Sequence, residues 1–329
     1  MHCISPLENM KRVLEHKEPA YIPFQLEAVK TVFHRDAQFY ARNGIPNLDE
    51  WFDAWGVKFT IPENLSDDSG FPIYHPLTSL DALDSFPWPD PDDKDIMAAA
   101  EEEIKKIDRD QYLIAGMNPG ILFVRSWLLY GMDNLLMATI LEQKKVEHLL
   151  DKITDYQITI AKQYVRLGID IAHMGDDIGT TKALFMNPEL WRKLVKPRLK
   201  KIIDEYKKGG CYIYFHSCGR IMDIVDDIIE LGIDILNPLQ ASANDFPELR
   251  NRTKRKVILH GGLDCDKLIR GSEKEIRQMT LDTIVALGSK GEYVADADQH
   301  LPFPDKTMKI VKETIRKYGR YPIKIGTCF

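Results

Sequence analysis

The chain has 329 residues, 44% of them hydrophobic and 29% charged, a length and composition that suit one large α/β domain or two smaller ones. Its 44 basic and 50 acidic residues leave a net charge of -6 with no basic run, which argues against a nucleic-acid partner. No apolar stretch reaches the roughly 18 residues of a membrane span, and Met-His-Cys-Ile-Ser-Pro at the N-terminus lacks the basic head and apolar core of a signal peptide. The five cysteines (Cys3, Cys211, Cys218, Cys265, Cys328) are odd in number and scattered, so they read as reduced thiols of a cytoplasmic protein.

Ser5-Pro6-Leu7-Glu8 is a capping box with proline at the first helical position, and a helix is expected to about Glu15. Tyr21–Glu27 follows as a short apolar strand, and Val57–Ile61 is a weaker strand candidate. The stretch Asp81–Asp95, rich in proline and aspartate, reads as an extended surface connection. Alternation then sets in: helix Asp95–Ile107 and strand Tyr112–Gly116, followed by helices at Val124–Tyr130, Met132–Leu141 and Lys145–Leu167. Strand Ile169–Met174, helix Asn187–Tyr206 and strand Cys211–Cys218 come next. Helix Ile221–Leu231, strand Ile233–Leu236, helix Phe246–Thr253 and strand Lys256–His260 continue the pattern. A helix capped by Ser272 runs to about Leu287, then strand Glu292–Ala295 and helix Asp305–Tyr318. Strands alternating with helices imply parallel pairing with right-handed crossovers. Eight such strands predict a (β/α)8 TIM barrel, one domain over residues 1–329 with an N-terminal helical extension. No glycine-rich phosphate fingerprint follows the first strand, which counts against a dinucleotide fold.

Barrel enzymes carry their chemistry at the C-terminal ends of the strands. Those positions read Glu27, Asn118, Asp176 with Asp177, His216 with Cys218, Asn237 with Gln240, His260 with Asp264, and Asp296, Asp298 and His300. Within Cys211–Gly219 strand alternation puts Tyr212, Tyr214, His216 and Cys218 on one face. An imidazole and a thiolate side by side suit zinc, although two ligands alone do not make a site. Asp298 or His300 on the last strand, or Glu27 on the first, are the candidates to complete it. Asp176 is a candidate to orient a ligand or to move a proton, with Glu27 as a further catalytic carboxylate. Arg125 offers a bidentate grip on a substrate carboxylate, with a structural ion pair as its other reading. Tyr214, Asn118 and His260 are further substrate-binding candidates, and the tyrosines suit a flat molecule. His173, inside a strand, reads as a satisfied core histidine, and Cys211 and Cys265 as structural.

A series of motifs in order then resembles the uroporphyrinogen decarboxylase superfamily, over about Leu7 to Lys317. It comprises Trp55-Gly56-Val57, His75-Pro76-Leu77 leading into Phe86–Asp92, Gly131–Met137, Gly175–Gly179, His216–Gly219, Leu236–Gln240 and His260–Asp264. Within the superfamily the chain looks like the zinc-dependent, corrinoid-linked methyltransferases, including those that serve coenzyme M and those that demethylate ethers. The resemblance implies a barrel with zinc on the His-x-Cys pair and on a cysteine of the last strand. Here Ala295–Leu301 has no cysteine, so Asp298 or His300 is expected in its place. The true decarboxylases carry an arginine-rich stretch after the first strand, whereas Gln25–Val29 has none and the first arginine beyond it is Arg35. The expected function is therefore zinc-dependent methyl transfer between a small molecule, first choice a methoxylated aromatic, and a corrinoid carried on a partner protein. A metal-free decarboxylase and a non-catalytic binding barrel are the rivals.

Overall fold

The computed structural model describes residues 4–37, 50–61, 70–299 and 301–324. Helix α1 (Pro6–Leu14) starts where the capping box places it, with Ser5 Oγ accepting the Glu8 amide at 3.1 Å. Strand β1 (Val29–Phe33) leads to three short strands, β2 (Glu50–Phe52), β3 (Lys58–Thr60) and β4 (Phe71–Tyr74), and to α2 (Ala98–Ile104). β5 (Leu113–Pro119) is followed by α3 (Phe123–Tyr130), α4 (Met132–Leu141) and α5 (Gln143–Arg166). β6 (Ile171–Gly175), α6 (Pro188–Leu194), α7 (Lys196–Lys208) and β7 (Tyr212–His216) come next. The chain closes with α8 (Val225–Leu231), β8 (Ile235–Asn237), α9 (Phe246–Thr253), β9 (Ile258–Leu263), α10 (Cys265–Arg270), α11 (Glu273–Thr283), β10 (Tyr293–Ala297) and α12 (Asp305–Tyr318).

The main sheet has seven strands in the order β1-β5-β6-β7-β8-β9-β10, every pair parallel. The expected count of eight is corrected at two places. Residues 21–27 form no strand, only isolated bridges, Tyr21 with Arg320 and Phe24 with Ala295, the second flanked by amides donated from Gln25 to Ala295 and from Ala295 to Pro23. The first strand begins at Val29, because the partner that fixes the register is β5, with Val29 opposite Leu113. Lys58–Thr60 belongs instead to a separate antiparallel sheet, β2-β3-β4, which buries Trp51 and Phe59 on one face. The helix expected over Asn187–Tyr206 is two helices, α6 and α7, separated at Val195 just before Pro197.

One layer of packing explains where the polar residues go. α1 presents Leu7, Met10, Val13 and Leu14 along one stripe, packed with Ala115, Ile171, Tyr214, Ile235, Ile258 and Val294 from inside the sheet. Side chains alternate along a strand, so the residue two positions on shares that face. Those residues are Met117, His173, His216, Asn237, His260 and Asp296, and all six line a single cavity of about 570 Å³. The apolar plug sits at the N-terminal end of the strands, and the ionisable groups stand at their C-terminal end.

Candidate functional site

Three groups meet at the ends of β6 and β7. His216 Nε2 lies 3.5 Å from Cys218 Sγ and 3.6 Å from Asp177 Oδ1, and one donor atom from each residue falls within 4.8 Å of the others. Bonds of 2.0–2.3 Å to zinc put the edges of a ligand tetrahedron at about 3.4–3.7 Å, so these two separations suit a shared cation. Asn237 fixes the imidazole: its Oδ1 is 2.6 Å from His216 Nδ1, while its Nδ2 donates to the His260 carbonyl at 3.3 Å. With the amide oxygen turned that way, Nδ1 carries the proton and the Nε2 lone pair faces Cys218 and Asp177. Asp177 Oδ1 accepts the Cys218 amide at 2.7 Å, which ties the two loops together. Burial, and then the Asp177 charge, push the Cys218 thiol up to about 12. Alone it stays protonated, and a bound dication reverses that preference. Gln299 lies against the sulfur, with Nε2 at 3.7 Å.

The donor cluster differs in one member from the expected candidates. His216 and Cys218 stand together, but the carboxylate beside them is Asp177. Asp298 is buried and its oxygens accept the amides of Ala241 and Cys265, each at 3.0 Å, so it secures β10 to the neighbouring loops and is no member of the cluster. His300 lies outside the described residues. The signal for Asp177 was present in the sequence: Ile171, His173 and Gly175 face inward, and alternation carries that face to Asp177 while turning Asp176 away.

Asp176 accordingly serves the fold. Its buried carboxylate accepts the amides of Leu122, Phe123 and Val124 at 3.3, 2.9 and 2.8 Å, where α3 begins. Burial raises its pKa to about 7 against the pull of those amides. Glu27 opens onto a different cleft, of about 680 Å³ beside α12, and accepts from the Phe24 amide and the Tyr21 hydroxyl. Asn118 is buried and donates to Gln157 at 2.6 Å, away from the cavity. Arg125 also sits away from it, paired at 2.5 Å with Asp53, both side chains 2% exposed, and stacked 4.7 Å from the Trp55 ring centroid. Its ion pair is structural. Arg125→Lys is expected to cost about 1–2 kcal/mol through lost stacking and fork geometry, read by chemical denaturation.

Tyr214 and His260 do line the cavity, with the Tyr214 oxygen 3.0 Å from His260 Nδ1. His173, expected to be a satisfied core residue, lines it too. Its Nδ1 has no hydrogen-bond partner and its ring lies 3.9 Å from that of Tyr214. Leu26, Phe33, Met117, Leu301, Phe303 and Met308 supply apolar walls. Among the described lining residues there is no lysine or arginine. No helix among the described residues is long and apolar enough to cross a membrane.

The family model described as uroporphyrinogen decarboxylase (URO-D) matches residues 52–314. No curated protein matches the sequence. Among solved structures the chain is similar to a methyltransferase from Methanosarcina mazei, with a TM-score of 0.71 and 15% identity over 96% of this chain and 99% of that one. At that identity the likeness is one of fold.

Proposed function

The chain belongs to the uroporphyrinogen decarboxylase family, and from that premise we propose that it is a zinc-dependent methyltransferase moving a methyl group between a small molecule and a corrinoid on a partner protein. The observation that carries this reading is the His216–Cys218–Asp177 cluster, whose spacing and donor types suit zinc, at the rim of the cavity. A decarboxylase of multiply acidic substrates needs cations to hold them, and the described cavity wall has none. That the structural neighbour is a methyltransferase agrees with the choice. The same reading takes the bridge between Phe24 and Ala295 as closing the parallel sheet into a barrel, and places the protein in the cytoplasm, where a ligand thiol stays reduced.

His216 Nε2, Cys218 Sγ and Asp177 would hold the metal, which when bound acts as a Lewis acid on an ether oxygen or a thiol. The chain's own residues do the rest. Asn237 holds the imidazole tautomer, Gln299 covers the sulfur, and the apolar walls seat a flat ring and exclude water. A methoxylated aromatic is the first choice of substrate. Its methyl would pass to cobalt(I), and the electron pair of the broken carbon–oxygen bond would stay on the phenolate.

The reading is tested by incubating zinc-loaded protein with 2-methoxyphenol and cob(I)alamin and following the methylcobalamin absorbance and catechol. Zinc-dependent formation of both is expected. No transfer, or transfer that chelators leave intact, contradicts the reading. Asn237→Ala should weaken zinc binding about 10–100-fold while leaving all three donor side chains in place. Competition with a metallochromic chelator measures that change.

A further inference from the structure

A second polar constellation stands inside the cavity, apart from the metal cluster. His260 Nδ1 is 3.0 Å from the Tyr214 hydroxyl, and its Nε2 is 3.3 Å from Asp296 Oδ2. The carboxylate selects the tautomer. Nε2 bears the proton, since two lone pairs would otherwise oppose each other, and the Tyr214 hydroxyl donates to Nδ1. Yet the Nε2 contact is out of line for a hydrogen bond, and Nε2 is left buried without a partner although the His260 side chain is only 5% exposed. Asp296 Oδ1 is already engaged, accepting the Ala297 amide at 2.8 Å and Gln25 Nε2 at 3.5 Å. Oδ2 has only the 3.3 Å contact with His260 Nε2, and no lysine or arginine among the described lining residues faces it. One donor and one acceptor thus stand side by side with unused capacity, in a cavity whose walls are otherwise largely apolar. Leaving the buried Nε2–H unmet costs about 1–3 kcal/mol, which a ligand supplying an acceptor recovers, while Asp296, a quarter exposed, offers its second oxygen to the same ligand.

We infer that His260 and Asp296 form a subsite for a hydroxyl group of the substrate, accepting from His260 Nε2–H and donating to Asp296 Oδ2. A hydroxyl is the group that carries a donor and an acceptor on one atom. A carboxylate would be repelled by Asp296, and a methyl or ether oxygen would leave the acceptor unmet. The inference rests on the methyltransferase reading only for the rest of the substrate: it makes the preferred methoxylated aromatic one with a free hydroxyl.

Phenol and toluene have nearly the same shape and differ in this group, and ligand-observed NMR titration of the wild-type protein compares them. Phenol should bind at least about tenfold more tightly. In His260→Phe and in Asp296→Ala that preference should vanish while toluene affinity holds, which also reports that the cavity is intact. Equal binding of the two probes by wild type, no binding of either, or a preference that survives in both variants overturns the subsite. Preference for phenol that depends on these two residues, without demethylation of 2-methoxyphenol, keeps the subsite and removes the methoxyarene reading. Demethylation without the preference does the reverse.

Discussion

Cys218→Ala and His216→Ala should each lose bound zinc and lower methyl transfer at least about 100-fold, while both proteins remain folded. Each variant removes one of three donors whose separations of 3.5 and 3.6 Å are otherwise matched to a shared cation. A loss of that size is about 2.7 kcal/mol of transition-state stabilisation, modest beside what a Lewis acid contributes to a developing oxyanion. The fold should tolerate both changes for local reasons. The His216 side chain is one-third exposed, and Cys218 anchors its loop through its backbone amide to Asp177, a contact alanine retains. Zinc analysis beside circular dichroism separates the two effects. Full activity in either zinc-free variant would show that the cluster is not the reacting centre.

The second large effect is on stability. Gly219 has φ +82°, and a Cβ there would meet the Gly179 carbonyl oxygen at 2.2 Å and the Thr180 carbonyl oxygen at 2.7 Å. The close approach is needed because the loop after β6 and the loop after β7 are laced together, with the Arg220 amide donating to Thr180 at 2.7 Å. That lacing sets Asp177 against Cys218. Gly219→Ala adds left-handed strain of about 1–2 kcal/mol to a contact that neither backbone can yield cheaply. A total loss of about 3–5 kcal/mol is expected, together with weakened zinc binding in whatever remains folded. Denaturant titration measures it, and a loss below about 1 kcal/mol would mean that the two loops are not held as described.

Much of this architecture is legible in the sequence because β5 to β10 and their helices carry strong local signals. Asn187-Pro188 and Ser272–Glu275 mark helix starts that the structure retains. The first strand is not legible, since Ile22, Phe24 and Leu26 alternate as well as Thr31 and Phe33 do, and only pairing with β5 decides between them. The antiparallel sheet has strands of three or four residues, too short for a period to show.

In the site, strand parity was enough to align His216 with Cys218 and would have chosen Asp177 over Asp176. It could not tell that the Asp298 oxygens are consumed by two backbone amides. Nor could it tell that Arg125 meets Asp53, 72 residues away in the chain. Those outcomes depend on which loops pack together, which no local pattern encodes.

The most direct test of the central claim is X-ray absorption at the zinc edge of protein purified without chelators and supplied with one equivalent of zinc. The structure predicts one sulfur neighbour near 2.3 Å, from Cys218, with the remaining shell of nitrogen and oxygen at about 2.0–2.2 Å. A shell without sulfur, or a protein that retains no zinc, would contradict the assignment of His216, Cys218 and Asp177 as a metal centre.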